Sequence, residues 1–154
     1  MADIVDTLTR SRMMSGIRGK DTKPEMQLRK FLHAAGFRYR LHVQALPGKP
    51  DLVLSRHRAV IFVHGCFWHG HHCRYFKWPK TRSEFWQEKI SRNQQRDQLQ
   101  WSQLQREGWR TLIVWECATR PAGPKHWASL TAQWLRNDSP AAFIDEQGLH
   151  EQHV

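Results

Sequence analysis

The sequence predicts an α/β protein, a mixed β-sheet flanked by helices, and three observations carry that prediction. Apolar residues recur at helical spacing in three separate stretches, within 23–35, 81–107 and 127–135. Between them lie short β-branched and aromatic runs, of which Ala59-Val60-Ile61-Phe62-Val63 is the most apolar and 109–115 is a second candidate for burial. The resulting order is helix, strands, helix, strand, helix, which suits a sheet covered by helices on its faces. At 154 residues the chain has room for one domain with a real core, 1–154, and is short for two.

Taken in order, residues 1–20 read as a basic N-terminal arm or short helix, with Arg10, Arg12 and Arg18 beside Met14 and Ile17. Thr22-Lys23-Pro24-Glu25 has the form of a capping box with proline inside the first turn. Leu28, Phe31, Leu32 and Ala35 follow at helical spacing, and Gly36 ends that helix. Tyr39, Leu41 and Val43 alternate with polar residues as in a half-buried strand. Gly48-Lys49-Pro50 is a turn leading into the short strand Asp51-Leu52-Val53-Leu54, and 55–58 can make a hairpin connection to 59–63.

A loop rich in Gly, His, Cys and aromatics runs from His64 to about Lys80. Thr81-x-x-Glu84 then reads as the cap of a long helical region, with room for a break, that Gly108 stops. A strand over 109–115 and a last helix marked by Trp127, Trp134 and Leu135 follow, and about 140–154 reads as a loose tail.

The charge balance narrows the function classes. Twenty-four Lys and Arg against 14 Asp and Glu give a net charge of +10. Such an excess attracts polyanions and holds phosphates by counterion release. No basic run flanks a lipid-facing helix, so nucleic acid ranks ahead of a membrane surface as partner. Eight tryptophans are more than a small core needs, and some suit stacking against bases or wedging between them. Met1-Ala2-Asp3-Ile4-Val5-Asp6 has no basic or apolar leader, and no apolar stretch approaches the ~20 residues that span a bilayer. Three cysteines are an odd number for a disulfide framework. The expectation is a cytoplasmic protein whose thiols stay reduced and free to bind metal.

Two constellations carry chemistry. Cys66 and Cys73 share one loop with His69, His71 and His72, and Cys117 follows the strand 109–115. Three thiolates and one imidazole make a closed tetrahedral site suited to structural zinc; spacing leaves open which histidine joins. Asp51 begins a strand after Pro50, and His64 ends the strand paired with it. A carboxylate for Mg²⁺ beside imidazoles that titrate near neutrality is what phosphodiester hydrolysis requires. Asp51 is therefore the candidate metal carboxylate, His64 and His69 are candidate proton-transfer groups, and Glu25 is a further carboxylate. Each also has a plainer role. Glu25 can complete a capping box, Asp51 can be a turn residue, and His64 can be a satisfied polar group.

The run His64-Gly65-Cys66-Phe67-Trp68-His69-Gly70-His71-His72-Cys73 resembles the very short patch repair endonuclease family, which nicks DNA beside a thymine mispaired with guanine. The likeness extends along nearly the whole chain, through Thr9-Arg10-Ser11, Asp21-Thr22, Glu25, Leu46-Pro47-Gly48, Pro50-Asp51, Glu84-Phe85-Trp86, Glu88-Lys89-Ile90, Gly108-Trp109-Arg110 and Val114-Trp115-Glu116-Cys117. The resemblance implies a restriction-endonuclease-like core. It also implies Mg²⁺ held by Asp51 and the backbone carbonyl of Val63, with His69 as base toward water. His64 would then act on the phosphate or leaving group, and Glu25 through water. Cys66, His71, Cys73 and Cys117 would bind zinc. Phe67, Trp68 and Trp86 would wedge into the duplex from the major-groove side, while Arg12, Met14 and Ile17 would approach the minor groove.

The chain departs from the commoner nuclease pattern, in which Pro-Asp is followed by acid-x-Lys, because Phe62-Val63-His64 stands there. Family members can also carry Thr at the position of Val63 and His at that of Gly70. The activity implied is a strand-specific nick 5′ to the mismatched thymine, by a monomer acting after 5-methylcytosine deamination and beside general mismatch-repair proteins. The alternatives are a restriction-type enzyme cutting both strands and a zinc-stabilised DNA-binding module without chemistry.

Overall fold

Six strands pair in chain order into one mixed sheet in the computed structural model, which describes residues 21–152. The elements are α1 (Lys23–Ala34), β1 (Arg40–Leu41), β2 (Leu52–Leu54), β3 (Ala59–His64), α2 (Ser83–Arg106), β4 (Arg110–Trp115), α3 (Trp127–Arg136), β5 (Ala141–Asp145) and β6 (Gly148–Gln152). β3, β4 and β5 run parallel, and β1, β2 and β6 pair antiparallel at the two sides.

Connection length decides these directions. A single 3₁₀ turn, Ser55–His57, followed by Arg58 in the left-handed region (φ 50°), returns the chain from β2 to β3 as a hairpin. A parallel neighbour needs a crossover, which α2 supplies between β3 and β4 and α3 supplies between β4 and β5.

The near-continuous apolar runs are explained by burial on both faces. Successive side chains alternate between two cores. Leu52, Leu54, Ile61, Leu112, Val114 and Ile144 pack with Leu28 and Leu32 of α1 and Trp134 and Leu135 of α3. Val53, Val60, Phe62, Ile113 and Trp115 turn the other way, toward Leu104 of α2.

Three expectations are corrected. The strand foreseen over 39–43 shrinks to Arg40–Leu41, because His42 takes a left-handed conformation (φ 49°) and breaks the extended run. The long helix begins at Ser83 and runs unbroken for 24 residues, and Thr81 is not its cap. Arg82 is the N-cap; its left-handed backbone (φ 55°) differs from the extended backbone of a Ser or Thr cap, and it carries no side-chain oxygen. Within the supposed loose tail, residues 141–152 form the β5–β6 hairpin. Its Asp145 carboxylate accepts the Gln147 N–H at 2.8 Å, and Gly148 supplies the positive φ. Residues 1–20, the expected basic arm, lie outside the described residues.

Candidate active site and metal centre

The candidate residues gather where β3 and β4 end. Parallel strands direct their carboxyl ends to one edge of the sheet, where ligands of α/β proteins bind. His64 closes β3 in register with Trp115 of β4, and Cys117 lies just beyond in a 3₁₀ turn, Glu116–Thr119. Because β2 runs antiparallel to β3, the residue before β2 returns to that edge. Asp51 is this residue, and its Oδ2 accepts the Val63 N–H at 2.7 Å.

Glu25 comes from the first turn of α1, only 2% exposed. Thr22 accepts the Glu25 N–H at 3.4 Å, half of the expected capping box. The reciprocal half is replaced, because the Glu25 Oε2 accepts the Asp21 N–H at 2.6 Å and a bond from the Arg29 Nη2. Arg29 also donates to Asp21 Oδ1 at 2.6 Å, and His42 Nε2 lies 3.5 Å from Glu25 Oε2. His42 Nδ1 is 3.7 Å from Asp51 Oδ1, so one imidazole spans the two carboxylates. Burial, with the Glu25 carboxyl alongside, pushes the Asp51 carboxyl up to about 8, against the pull of the Val63 N–H and the Arg29 guanidinium. A buried carboxylate that resists ionisation gains most from a divalent cation. Its hard oxygen donors fit Mg²⁺, which is commonly held by one or two carboxylates and water.

His64 and His69 stack face to face, with centroids 3.6 Å apart and planes 2° from parallel. His69 Nδ1 lies 2.6 Å from Asp97 Oδ2, a carboxylate that α2 carries into the core at 5% exposure. Burial, and then the proximity of His69, hold His64 well below the ordinary imidazole range, so His64 is neutral near neutral pH. Its Nδ1 is buried without a hydrogen-bond partner among the described residues. Trp101 and Trp115 wall the ring pair, at 5.9 and 5.7 Å from His64.

Beside this pair, ligand atoms of Cys66, His71, Cys73 and Cys117 all lie within 4.8 Å of one another. Tetrahedral zinc with Zn–S near 2.3 Å places its ligand atoms about 3.8 Å apart, so the set fits such an ion. The Cys117 N–H donates to Cys66 Sγ at 3.4 Å, and Cys117 Sγ is 3.7 Å from His71 Nδ1. The Cys66 thiol beside it holds the Cys117 sulfur below the ordinary thiol range, while Cys66 itself is pushed up. The other two histidines of the loop are engaged elsewhere, His69 on Asp97 and His72 stacked on Phe76 at 4.4 Å. The His71 ring lies on Trp115 at 4.3 Å.

Phe67, Trp68 and Trp86 form a single aromatic contact group, with centroids 5.2 to 5.9 Å apart. Trp86 is its buried member, and Phe67 and Trp68 are half-buried. Gly70 closes the turn behind them with φ +65°, and a Cβ there would sit 2.3 Å from Gln94 Nε2. A larger side chain at this position therefore requires Gln94 to move. Arg12, Met14 and Ile17 lie outside the described residues.

Four participants escaped the sequence reading: Asp97, Arg29, Asp21 and His42. Asp97 left a signal, since it falls on the stripe of Trp86, Ile90 and Leu104, where a carboxylate has no place unless paired. Arg29 left one too, four residues after Glu25 on the inward face of α1. His42 gave none, because a left-handed residue in a loop follows no periodicity.

Comparison with known proteins adds descent. A family model described as DNA mismatch endonuclease Vsr matches residues 2–75. The chain is 47% identical over 153 residues to the DNA mismatch endonuclease Vsr of Escherichia coli K12, covering 97% of this chain and 98% of that one. It is 46% identical over 123 residues to the type II nicking enzyme V.XorIIP of Xanthomonas oryzae pv. oryzae, covering 80% and 90% of the two chains. It is also 47% identical over 117 residues to the type II nicking enzyme V.NmeAIP of Neisseria meningitidis, covering 76% and 84%.

Proposed function

This chain belongs to the DNA mismatch endonuclease Vsr family, and from that premise we propose a magnesium-dependent mismatch-repair endonuclease that nicks one DNA strand 5′ to the thymine of a T·G mispair. The observation that carries the reading is the convergence of Asp51, His64 and His69 on one edge of the sheet, in a chain 47% identical to a mismatch endonuclease over nearly its full length.

Asp51 and the backbone carbonyl of Val63 would hold Mg²⁺, which would supply Lewis-acid polarisation of the phosphate. His69 takes the proton of the attacking water on Nε2, because its Nδ1–H is directed to Asp97, which fixes the tautomer and steadies the imidazolium that forms. The water oxygen bonds to phosphorus as the P–O3′ bond breaks, and the leaving O3′ takes its proton from solvent water. His64, neutral in its buried position, donates to the phosphate or leaving oxygen. Glu25 is pinned by Arg29 and the Asp21 N–H, so it would meet such an ion only through water.

Cys66, His71, Cys73 and Cys117 would hold a structural zinc, their four side chains completing its tetrahedral set. Phe67, Trp68 and Trp86 wedge beside the mismatch, while Arg12, Met14 and Ile17 reach the minor groove. A T·G pair stacks less well than a matched pair, so opening it costs less and the wedge converts that difference into specificity. A restriction-endonuclease-like core, one domain, a monomer with one active site, general mismatch-repair partners and a place in the bacterial cytosol complete the reading. No helix among the described residues is long and apolar enough to cross a membrane.

A covalently closed plasmid carrying one T·G mismatch tests the reaction class. The enzyme with Mg²⁺ converts it to nicked circles and leaves the homoduplex plasmid closed. Linear product at the site would establish double-strand cleavage instead. Retarded but uncut plasmid across several divalent metals would leave only a binding module.

A further inference from the structure

We propose that the loop after the metal centre and the first turn of α2 form a stacking platform for unpaired nucleotides of a single DNA strand. The proposal rests on the reading that Phe67 and Trp86 face DNA, and extends the contact surface away from the wedge on both sides. An edge-to-face contact joins Trp78 to Phe76 at 5.0 Å, and Phe76 stacks against Phe67 at 6.0 Å. Phe67 meets Trp86 at 5.4 Å, which in turn meets Phe85 at 5.1 Å. The rings thus form one continuous band whose two ends, Trp78 and Phe85, are 39% and 41% exposed. Large aromatics with that much surface in water, at both ends of one band, mark an interaction surface.

The cations around the band give its partner a sign. Lys77 and Lys80 flank Trp78 in the chain. The Arg82 guanidinium lies over the Phe85 ring at 4.1 Å, and Lys89 Nζ approaches it at 6.0 Å. Their neighbours Arg74 and Arg92 are paired with Glu146 and Glu88. Lys77, Lys80, Arg82 and Lys89 have no carboxylate partner among the described residues. Cations without carboxylate partners, interleaved with exposed rings, are the pattern that tracks a phosphate backbone while bases stack. A paired duplex keeps its base faces inside the stack and shows only their edges, so the exposed surface of Trp78 and the Phe85 face opposite Arg82 suit bases already out of the helix. Pro79 restrains the backbone of Trp78 to extended conformations, so the ring is partly ordered before a base arrives.

Fluorescence anisotropy of a labelled oligothymidylate and of a fully paired duplex of equal length, without magnesium, tests the proposal. Wild-type protein binds the oligothymidylate. Trp78→Ala and Phe85→Ala each weaken that binding about tenfold, and Trp78→Phe keeps it within about twofold, as stacking rather than charge requires. Duplex affinity changes less than about twofold in all three. Unchanged oligothymidylate binding in Trp78→Ala and Phe85→Ala, or an equal loss on duplex and single strand, overturns the platform. If Trp78→Ala melts early, Trp78→Phe and Phe85→Ala decide the matter. Wild-type enzyme that nicks a T·G duplex but ignores oligothymidylate refutes the platform alone, whereas single-strand binding through Trp78 without any nicking refutes the nuclease reading alone.

Discussion

Asp97 touches His69 at 2.6 Å, and if His69 is the base proposed above, Asp97 acts on the reaction only through it, with a pair of separable effects. Asp97→Asn keeps the size and a hydrogen bond but loses the negative charge that fixes the tautomer and steadies a protonated ring. We expect the nicking rate to fall about a hundredfold with DNA affinity unchanged, and Asp97→Glu, which keeps the charge, to retain more of the rate than Asp97→Asn. A residue that merely packed would favour Asp97→Asn, the closer match in size. Asp51 gives a second residue-scale prediction. Its carboxyl is pushed up to about 8 mainly by burial, so between its unfolded value near 4 and that point the folded protein binds the extra proton. Stability without metal must then fall as pH rises through this window. Asp51→Asn removes the penalty, and the metal-free variant should melt about 3–6 °C higher than wild type at pH 8, with no difference at pH 4. Equal melting at both values would contradict the burial argument. The places of Asp51, His64 and His69 were legible in the sequence because each sits at a strand end or in the dense histidine loop. Asp97 was not read because a carboxylate inside a 24-residue charged helix looks like solvated surface until the helix is docked.

Among the elements, the loop 66–73 makes turns of its own, His71 N–H to the Cys66 carbonyl at 2.9 Å among them, and meets the sheet through Cys117 just beyond the end of β4. Arg74 continues the tie, meeting Glu146 at 2.9 Å in the turn between β5 and β6. Removing zinc with a strong chelator should lower the melting temperature by roughly 10 °C or more and abolish mismatch binding together with nicking. Cys117→Ser should reproduce both effects. A chelated protein that melts and binds as before would show the thiols to be unrelated. The hairpin that anchors this tie was misread as tail because Ala141-Ala142 are poor strand formers and the chain after Gly148 is polar. Their burial comes from β4 and α3, which is tertiary information. The β2–β3 hairpin was legible, since its apolar runs flank a connection too short for any crossover.

At the scale of the whole molecule, the +10 charge and the sheet edge with the acidic site act together. The charge draws DNA toward the protein, and the Glu25–Asp51 carboxyl pair stands at the edge where it would arrive. Affinity for paired DNA should fall about a hundredfold or more between 50 and 200 mM salt, linearly in the logarithms. Mismatch discrimination should persist across that range, because the proposed wedge, unlike phosphate contacts, is not screened by salt. An affinity indifferent to salt would remove the polyanion argument. The α/β class was legible because helical and strand periodicities alternate along the chain. The order of strands within the sheet was not, because equal apolar runs pair equally well until connections and cores choose among them.

The central claim is that Asp51 serves a cleavage confined to one strand of a mispair. End-labelled duplexes that are identical except for one T·G mismatch, incubated with Mg²⁺ and resolved to single nucleotides, test it most directly. The account predicts one product, cut 5′ to the mispaired thymine with a 3′-hydroxyl and a 5′-phosphate, absent from the matched duplex and lost in Asp51→Ala. Equal cutting of matched and mismatched duplexes, or full cleavage by Asp51→Ala, would contradict it.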